Sequence, residues 1–200
     1  KGQVQAHGLN HWQLSKHIKQ VRKIADELKS SITILAGSEV DILADGKLDY
    51  PNSLLAELDI VIASPHAGLS QSPEKATCRL LRAIENPYVT ILGHPTGRLI
   101  GRREGLRPDI GALIEAAQQR GIAMEINANS WRLDLRDLHA HAALDAKVKL
   151  AINTDAHGPG DLDQLQFGVL TARRAGTSAK NVINCMTKAT LAKWLQSTRD

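Results

Sequence analysis

The chain is 200 residues long, 42% apolar and 23% charged, which is enough to close a sizeable core in one globular domain. No apolar run approaches the ~18 to 20 residues that span a bilayer, so the reading has no membrane partner. The net charge of +4 comes from 25 basic and 21 acidic residues well mixed along the chain, which permits a polyanionic partner without demanding one.

The opening "KGQVQAHGLN" has no initiator Met and no signal peptide and moves directly into a helical pattern, as a piece cut from a longer polypeptide would. Leu14, Ile18, Val21, Ala25 and Leu28 form a 3.6-period stripe that predicts an amphipathic helix over 11–29. "SITILAGSEV" reads as a first strand, and Asp45-Gly46 with Lys47 as a turn. "LDIVIASPH" is a second strand, after which Ser72-Pro73 opens a helix that Asn86-Pro87 closes. "YVTILGHP" is a third strand. Asp109 can cap a helix running through Arg120, with Gly121 as its stop. "IAMEIN" and "VKLAINTD" are a fourth and fifth strand, separated by a helical stretch near residues 134–146. The rest reads as helical over 161–174, 178–186 and 187–196, with Ser178 and Thr187 as candidate caps. Cys78 and Cys185 lack C-x-x-C spacing, which argues against a disulfide framework or a thiolate metal site and suits a reducing compartment.

Strands alternating with helices, each strand nearly continuous in apolar residues, predict an α/β fold with a parallel sheet, open or closed into a barrel. Each strand also delivers an ionisable residue at or near its carboxyl end: Glu39, His66, His94, Glu125, and then Asp155 and His157. Parallel α/β folds assemble their sites at that end. One histidine at a strand end is more often a hydrogen-bonded structural group than a ligand; the repetition over five strands is what points to a site. The set Glu39, His66, His94, Asp155 and His157 offers oxygen and nitrogen donors, which suit Mn²⁺, Fe²⁺ or Zn²⁺ better than Mg²⁺ or Ca²⁺. More than four candidate ligands imply more than one ion, as in clusters that hold metals ~3.5 to 4 Å apart for phosphoryl displacement.

The segments "GSEVDIL", "SPHAG", "GHPTGRLIGRRE", "EINAN", "RLDL" and "NTDAH" together resemble the PHP (polymerase and histidinol phosphatase) superfamily. More narrowly they are similar to the C-terminal PHP domain of bacterial family X DNA polymerases, from about Gly8 to about Trp194. The resemblance implies a distorted (β/α)7 barrel, of which roughly the last five β/α units fall in residues 1–200, read as one domain. It implies Mn²⁺ or Zn²⁺, up to three ions in a complete domain, and 3′-5′ exonuclease or related 3′-end phosphodiesterase activity in DNA repair. The implied partners are DNA, as a 3′ end or single strand, and an upstream polymerase module in the same polypeptide, in the bacterial cytoplasm. Glu39 matches the family's bridging carboxylate, and His66, His94, Asp155 and His157 match further ligands. Glu39, Asp155 and His157 are the residues expected to carry the chemistry.

The family's opening H-x-H strand and following "TDH" segment have no counterpart here, so some ligands are expected upstream, and the 200 residues alone are expected to be weakly active or inactive. "SPHAG" and "INANSW" depart mildly from the family's forms without touching a ligand. The family pattern sets Glu125 behind the ligands, orienting them; Asn127 is expected in the same role, and with Asn129 it can either meet substrate or satisfy strand-end backbone. Arg98, Arg102 and Arg103 follow His94 and suit phosphate recognition, with solvated loop charges as the plainer reading. His139 and His141 face apart on a helix and read as surface, as do His7, His11 and His17. Trp12, Trp131 and Trp194 read as packing rather than base-stacking residues, since only 3% of the chain is aromatic. Two other functions share these residues: a small-molecule phosphatase of the histidinol phosphatase type, and a non-catalytic PHP module that scaffolds a polymerase.

Overall fold

A computed structural model describes residues 8–29 and 31–199; His7 lies outside them. The first helix, α1 (His11–Leu28), starts where Asn10 and Gln13 exchange side-chain to backbone hydrogen bonds in a capping box, and it buries Leu14 and Ile18. Among the described residues there are five strands: β1 (Gly37–Asp41), β2 (Ile60–Ser64), β3 (Ile91–Leu92), β4 (Ala123–Asn127) and β5 (Lys149–Asn153). They form one sheet in the order β1-β2-β3-β4-β5. Every neighbouring pair is parallel.

A one-turn helix, α2 (Asn52–Leu55), lies before β2, and α3 (Pro73–Ile84), capped by Ser72, connects β2 to β3. The helix α4 (Ile110–Arg120) is capped by Asp109 and stopped by Gly121 at φ 67°, as its sequence predicts. The helix α5 (Asp137–Asp145) leads to β5, and α6 (Leu165–Arg174) and α7 (Lys188–Ser197) follow it. Strands in sequential order, with no reversal, and right-handed crossovers put the connecting helices on one face of the sheet. That face carries the large core, with Val61, Ala63, Leu92, Met124, Ile126, Leu150 and Ile152 packed against helix residues. The opposite face holds a second, smaller cluster of Ile91, Ala123, Ala151 and Ile183. The result is a barrel-like α/β arrangement.

Several expectations are corrected. The first strand starts at Gly37, after the apolar run Ile32–Leu35 instead of within it; Ile32 is 57% exposed. The approach to β1 is fixed by Asp59, whose carboxylate accepts from Ala36 N at 2.6 Å and from Arg22. Glu39 therefore sits in the middle of β1 instead of past its end. Residues 178–186 form two 3₁₀ turns, Ala179–Asn181 and Ile183–Cys185, broken by an extended Val182. Here pairing with the sheet outweighs helix propensity: Val182 bridges Leu150, and the Asn184 amide both accepts from Ile152 N and donates to Ile152 O. Ser178 makes no cap bond, whereas Thr187 caps α7. Trp12 is 71% exposed, so it is not a packing residue, and His139 is half-buried, not on the surface.

Candidate metal centre

Glu39 and Asp41 are two apart on β1 and so project from the same face. His66 lies two residues past β2 and His94 two past β3. Because the sheet is parallel, these three elements bring their side chains to the same edge. One ligand atom from each of Glu39, His66 and His94 lies within 4.8 Å of the other two. His94 Nε2 is 3.0 Å and His66 Nε2 3.3 Å from the same atom, Glu39 Oε1. The two rings meet edge-on, with centroids 5.0 Å apart.

The surroundings fix these groups. Asp41 hydrogen-bonds His66 Nδ1, leaving Nε2 turned toward Glu39. Burial alone would lower the His66 pKa, but its hydrogen bonds to Asp41 and Glu39 and their negative charge push it up to about 9. Burial would raise Glu39, yet the two histidines hold its carboxyl far below the usual range. Glu125 is buried on β4; it accepts from His94 N at 2.8 Å and from Asn153 Nδ2 at 2.8 Å, and burial pushes its pKa up. Gly93 permits the close approach beneath His94, since a Cβ there would lie 2.2 Å from Ser64 Oγ. Arg79, buried in α3, donates to Ile42, Ala67 and Gly68 carbonyls, tying the loop after β1 to the loop that carries His66.

Asp155 follows β5 in a left-handed turn at φ 55°, a conformation that Asp tolerates. Its Oδ2 accepts from Arg132 Nε at 3.1 Å and Asn127 Nδ2 at 3.2 Å. It shares a cavity of about 490 Å³ with Glu39, Glu125 and Asn153. His157 is apart from the cluster: its side chain is 72% exposed, and Nδ1 donates to the Asp155 carbonyl at 2.9 Å. The structure thus brings Glu39, His66 and His94 together, sets Asp155 on the wall of the adjoining cavity and leaves His157 exposed outside the cluster.

Glu125 lies behind His94, accepting from its backbone N. Asn127 touches Asp155 and accepts from Asn129 N, so it serves both site and backbone. Of the three arginines, Arg98 donates to the Arg132 and Leu133 carbonyls and Arg103 to the Gly97 carbonyl. Their forks are thus spent on backbone. Arg102 lies over the Trp131 ring, 4.1 Å from its centroid. His11 and His17 are exposed, as is His141, while Trp194 packs and donates to the Gly121 carbonyl. Asp41, Gly93 and Arg132 escaped the sequence reading. For Asp41 a signal existed, since E-x-D on a strand puts two carboxylates on one face.

The donors fit a divalent ion. Two imidazole Nε2 atoms and a carboxylate oxygen converge, one histidine is oriented by a carboxylate behind it, and His94 Nδ1 is buried without a partner among the described residues.

No family model matches the chain. It is 46% identical over 179 residues to the DNA polymerase/3′-5′ exonuclease PolX of Bacillus subtilis (strain 168), covering 90% of this chain and 31% of that protein. It is 33% identical over 172 residues to a probable phosphatase of Thermoanaerobacter sp. (strain X514), covering 81% of this chain and 68% of that protein. A probable phosphatase of Caldanaerobacter subterraneus subsp. tengcongensis is 35% identical over 145 residues, 68% of this chain and 55% of that protein. The chain therefore spans about a third of the polymerase it matches and about two thirds of a phosphatase.

Proposed function

Because the chain belongs to the PHP superfamily, as its likeness to these relatives shows, we propose that its site is a metal-dependent phosphoesterase acting on the 3′ end of a DNA strand. The observation that carries the reading is the convergence of Glu39, His66 and His94 donor atoms within 4.8 Å at one edge of a parallel sheet. The polymerase likeness favours DNA, and with it placement of residues 1–200 as one domain beside a polymerase module in a longer polypeptide. The donor set suits Mn²⁺ or Zn²⁺, and the fold reading extends to the family's distorted (β/α)7 barrel.

In this reading Glu39 Oε1, His66 Nε2 and His94 Nε2 hold the ion, and three protein donors leave positions open for substrate. A divalent ion held there supplies positive charge to a phosphoryl oxygen and acidifies water. Asp41 holds His66 through Nδ1, which turns Nε2 toward the ion. Glu125 pins the His94 backbone, so that ring enters the site at a set angle. Asp155 has Oδ2 engaged by Arg132 and Asn127, which leaves Oδ1 to take a ligand or a proton from attacking water. His157, anchored through Nδ1 to the Asp155 carbonyl, offers an exposed Nε2 as a further ligand.

The test compares, in the longer polypeptide that carries this domain, a 5′-labelled single-stranded oligonucleotide with p-nitrophenyl phosphate, each with Mn²⁺ or Zn²⁺, for the wild type, Glu39→Gln and His94→Ala. Shortening from the 3′ end that needs metal and fails in both variants supports the reading. Cleavage that survives His94→Ala would sink it. A second reading, a small-molecule phosphatase, is favoured by the 68% coverage of a probable phosphatase; it wins if only the monoester turns over. Metal binding without turnover of either substrate would favour the scaffolding module.

A further inference from the structure

Beyond the metal cluster, the loop after His94 and the start of α5 enclose a cleft of about 750 Å³, in the range of ligand pockets, whose lining includes Arg98, Arg102, Arg103, Arg107 and Arg136. Acidic groups nearby are already engaged. Asp134 Oδ2 accepts from Thr96 N, Thr96 Oγ1 and Gly97 N. Asp137 is paired with Arg174, and Glu104 with Arg107 at the exposed rim. Arg98 and Arg103 brace the wall through backbone carbonyls and Arg107 is held by Glu104, so the exposed cations left to meet a ligand are Arg102 and Arg136. Half-buried His139 also lines the cleft, and burial above all, with Arg136 and Arg98 adding and Asp134 and Asp137 opposing, holds its pKa below the ordinary value.

Trp131 stands beside this cleft, 50% exposed and with Arg102 over its ring. Its position is fixed, since Ile100 N donates to the Trp131 carbonyl at 2.6 Å and Trp131 N donates to Asn129 Oδ1 at 3.0 Å. The cleft adjoins the site through the chain itself: Thr96, on its wall, is two residues past His94, a separation of at most ~7.6 Å between Cα atoms. Cations that track a backbone, beside a fixed aromatic face, are what proteins use to hold unpaired nucleic acid.

We infer that the cleft binds a single-stranded nucleic-acid segment, with Arg102 and Arg136 meeting backbone phosphates and the Trp131–Arg102 pair offering a stacking face to an unpaired base. The inference rests on the phosphoesterase reading for the strand's role as substrate, but binding itself needs no turnover. It also reverses the packing role expected for Trp131.

The test is fluorescence anisotropy of labelled dT12 in EDTA over a range of NaCl concentrations, with the wild-type chain, Arg102→Glu/Arg136→Glu, Arg102→Gln/Arg136→Gln and Trp131→Ala. Thermal melting establishes that each variant is folded. Both arginine pairs should weaken binding at least tenfold and make the salt dependence shallower, by about 0.7 in log–log slope for each phosphate no longer neutralised. Trp131→Ala should weaken dT12 by about tenfold and leave heparin binding unchanged. Anisotropy curves unaffected by either arginine pair, or tighter binding of a blunt duplex than of dT12, would overturn the inference. Metal-dependent p-nitrophenyl phosphate turnover is measured in parallel for the wild type in the longer polypeptide that carries this domain. Strand binding through the cleft with no phosphoester turnover would remove the phosphoesterase reading alone; intact turnover with no cleft-dependent binding would remove the cleft alone.

Discussion

His66 lies between two carboxylates, and its behaviour follows from them. With Asp41 on Nδ1 and Glu39 facing Nε2, its pKa stands at about 9, above its value in an unfolded chain. A group whose folded pKa is raised lends stability below its unfolded value, near 6.5, and loses it as pH rises through the folded one. Glu39 is shifted down, so its contribution is present above its unfolded value near 4.5 and lost as pH falls. The metal-free chain should therefore draw most stability from this pair between about pH 5 and 6.5 and lose the His66 part by pH 9 to 10, which urea melts across that range will show. Asp41→Asn should bring the His66 ring pKa down toward 6.5 by NMR titration. It should also weaken Mn²⁺ binding about 10- to 100-fold by calorimetry, the usual effect of removing a carboxylate behind a ligating histidine. Unchanged affinity would show that Asp41 does not orient the ring.

Element packing places His94. Strand β3 is two residues long, and Gly93 passes so close to β2 that a methyl group would meet Ser64 Oγ and, at 2.7 Å, Ile62 Cγ2. Overpacking of this kind costs about 1 to 3 kcal/mol. Gly93→Ala should lower stability by that amount and weaken metal binding as well, because any shift of β3 moves His94. Asp109→Ala is the control: it removes the α4 cap, should cost about 1 kcal/mol, and should leave metal affinity unchanged. Equal metal affinity in wild type and Gly93→Ala would mean that the strand absorbs the methyl group without moving the ring. Glu125→Ala belongs here too, since it strips the acceptor from His94 N and Asn153 Nδ2 across β3, β4 and β5. Leaving buried donors unmet costs about 1 to 3 kcal/mol.

At the scale of the whole molecule, the site joins the middle of β1 to the segments that follow β2 and β3, so an ion bound there ties β1, β2 and β3 together. A ligand that binds only the folded chain stabilises it by about 2.7 kcal/mol at a hundred times its Kd. The melting temperature should rise with Mn²⁺ or Zn²⁺ concentration and return to the metal-free value on chelation. His94→Ala should abolish the rise. A melting temperature indifferent to metal in the wild type would remove the metal from the reading.

Local physics made much of this legible from the amino acids. The cap at Asp109, the stop at Gly121 and the opening of α3 at Ser72-Pro73 depend on neighbours a few residues away, and the structure has them where the sequence puts them. The habit of ending apolar strands in Glu, His or Asp was equally visible, because parallel strands bring their carboxyl ends to one edge whatever the connecting loops do. What could not be read was anything set by partners distant in the chain. The start of β1 depends on Asp59 and Arg22, and the break at Val182 on Leu150 and Ile152. Asp41 acquires its role only when β2 lies beside β1. Arg98 and Arg103 turned to backbone carbonyls, and Trp131 came to the surface beneath Arg102, because loops 94–106 and 129–136 fold against each other. Periodicity and capping are written along the chain, whereas the direction in which a charged side chain points is decided by whichever carbonyl or carboxylate the tertiary fold brings within reach.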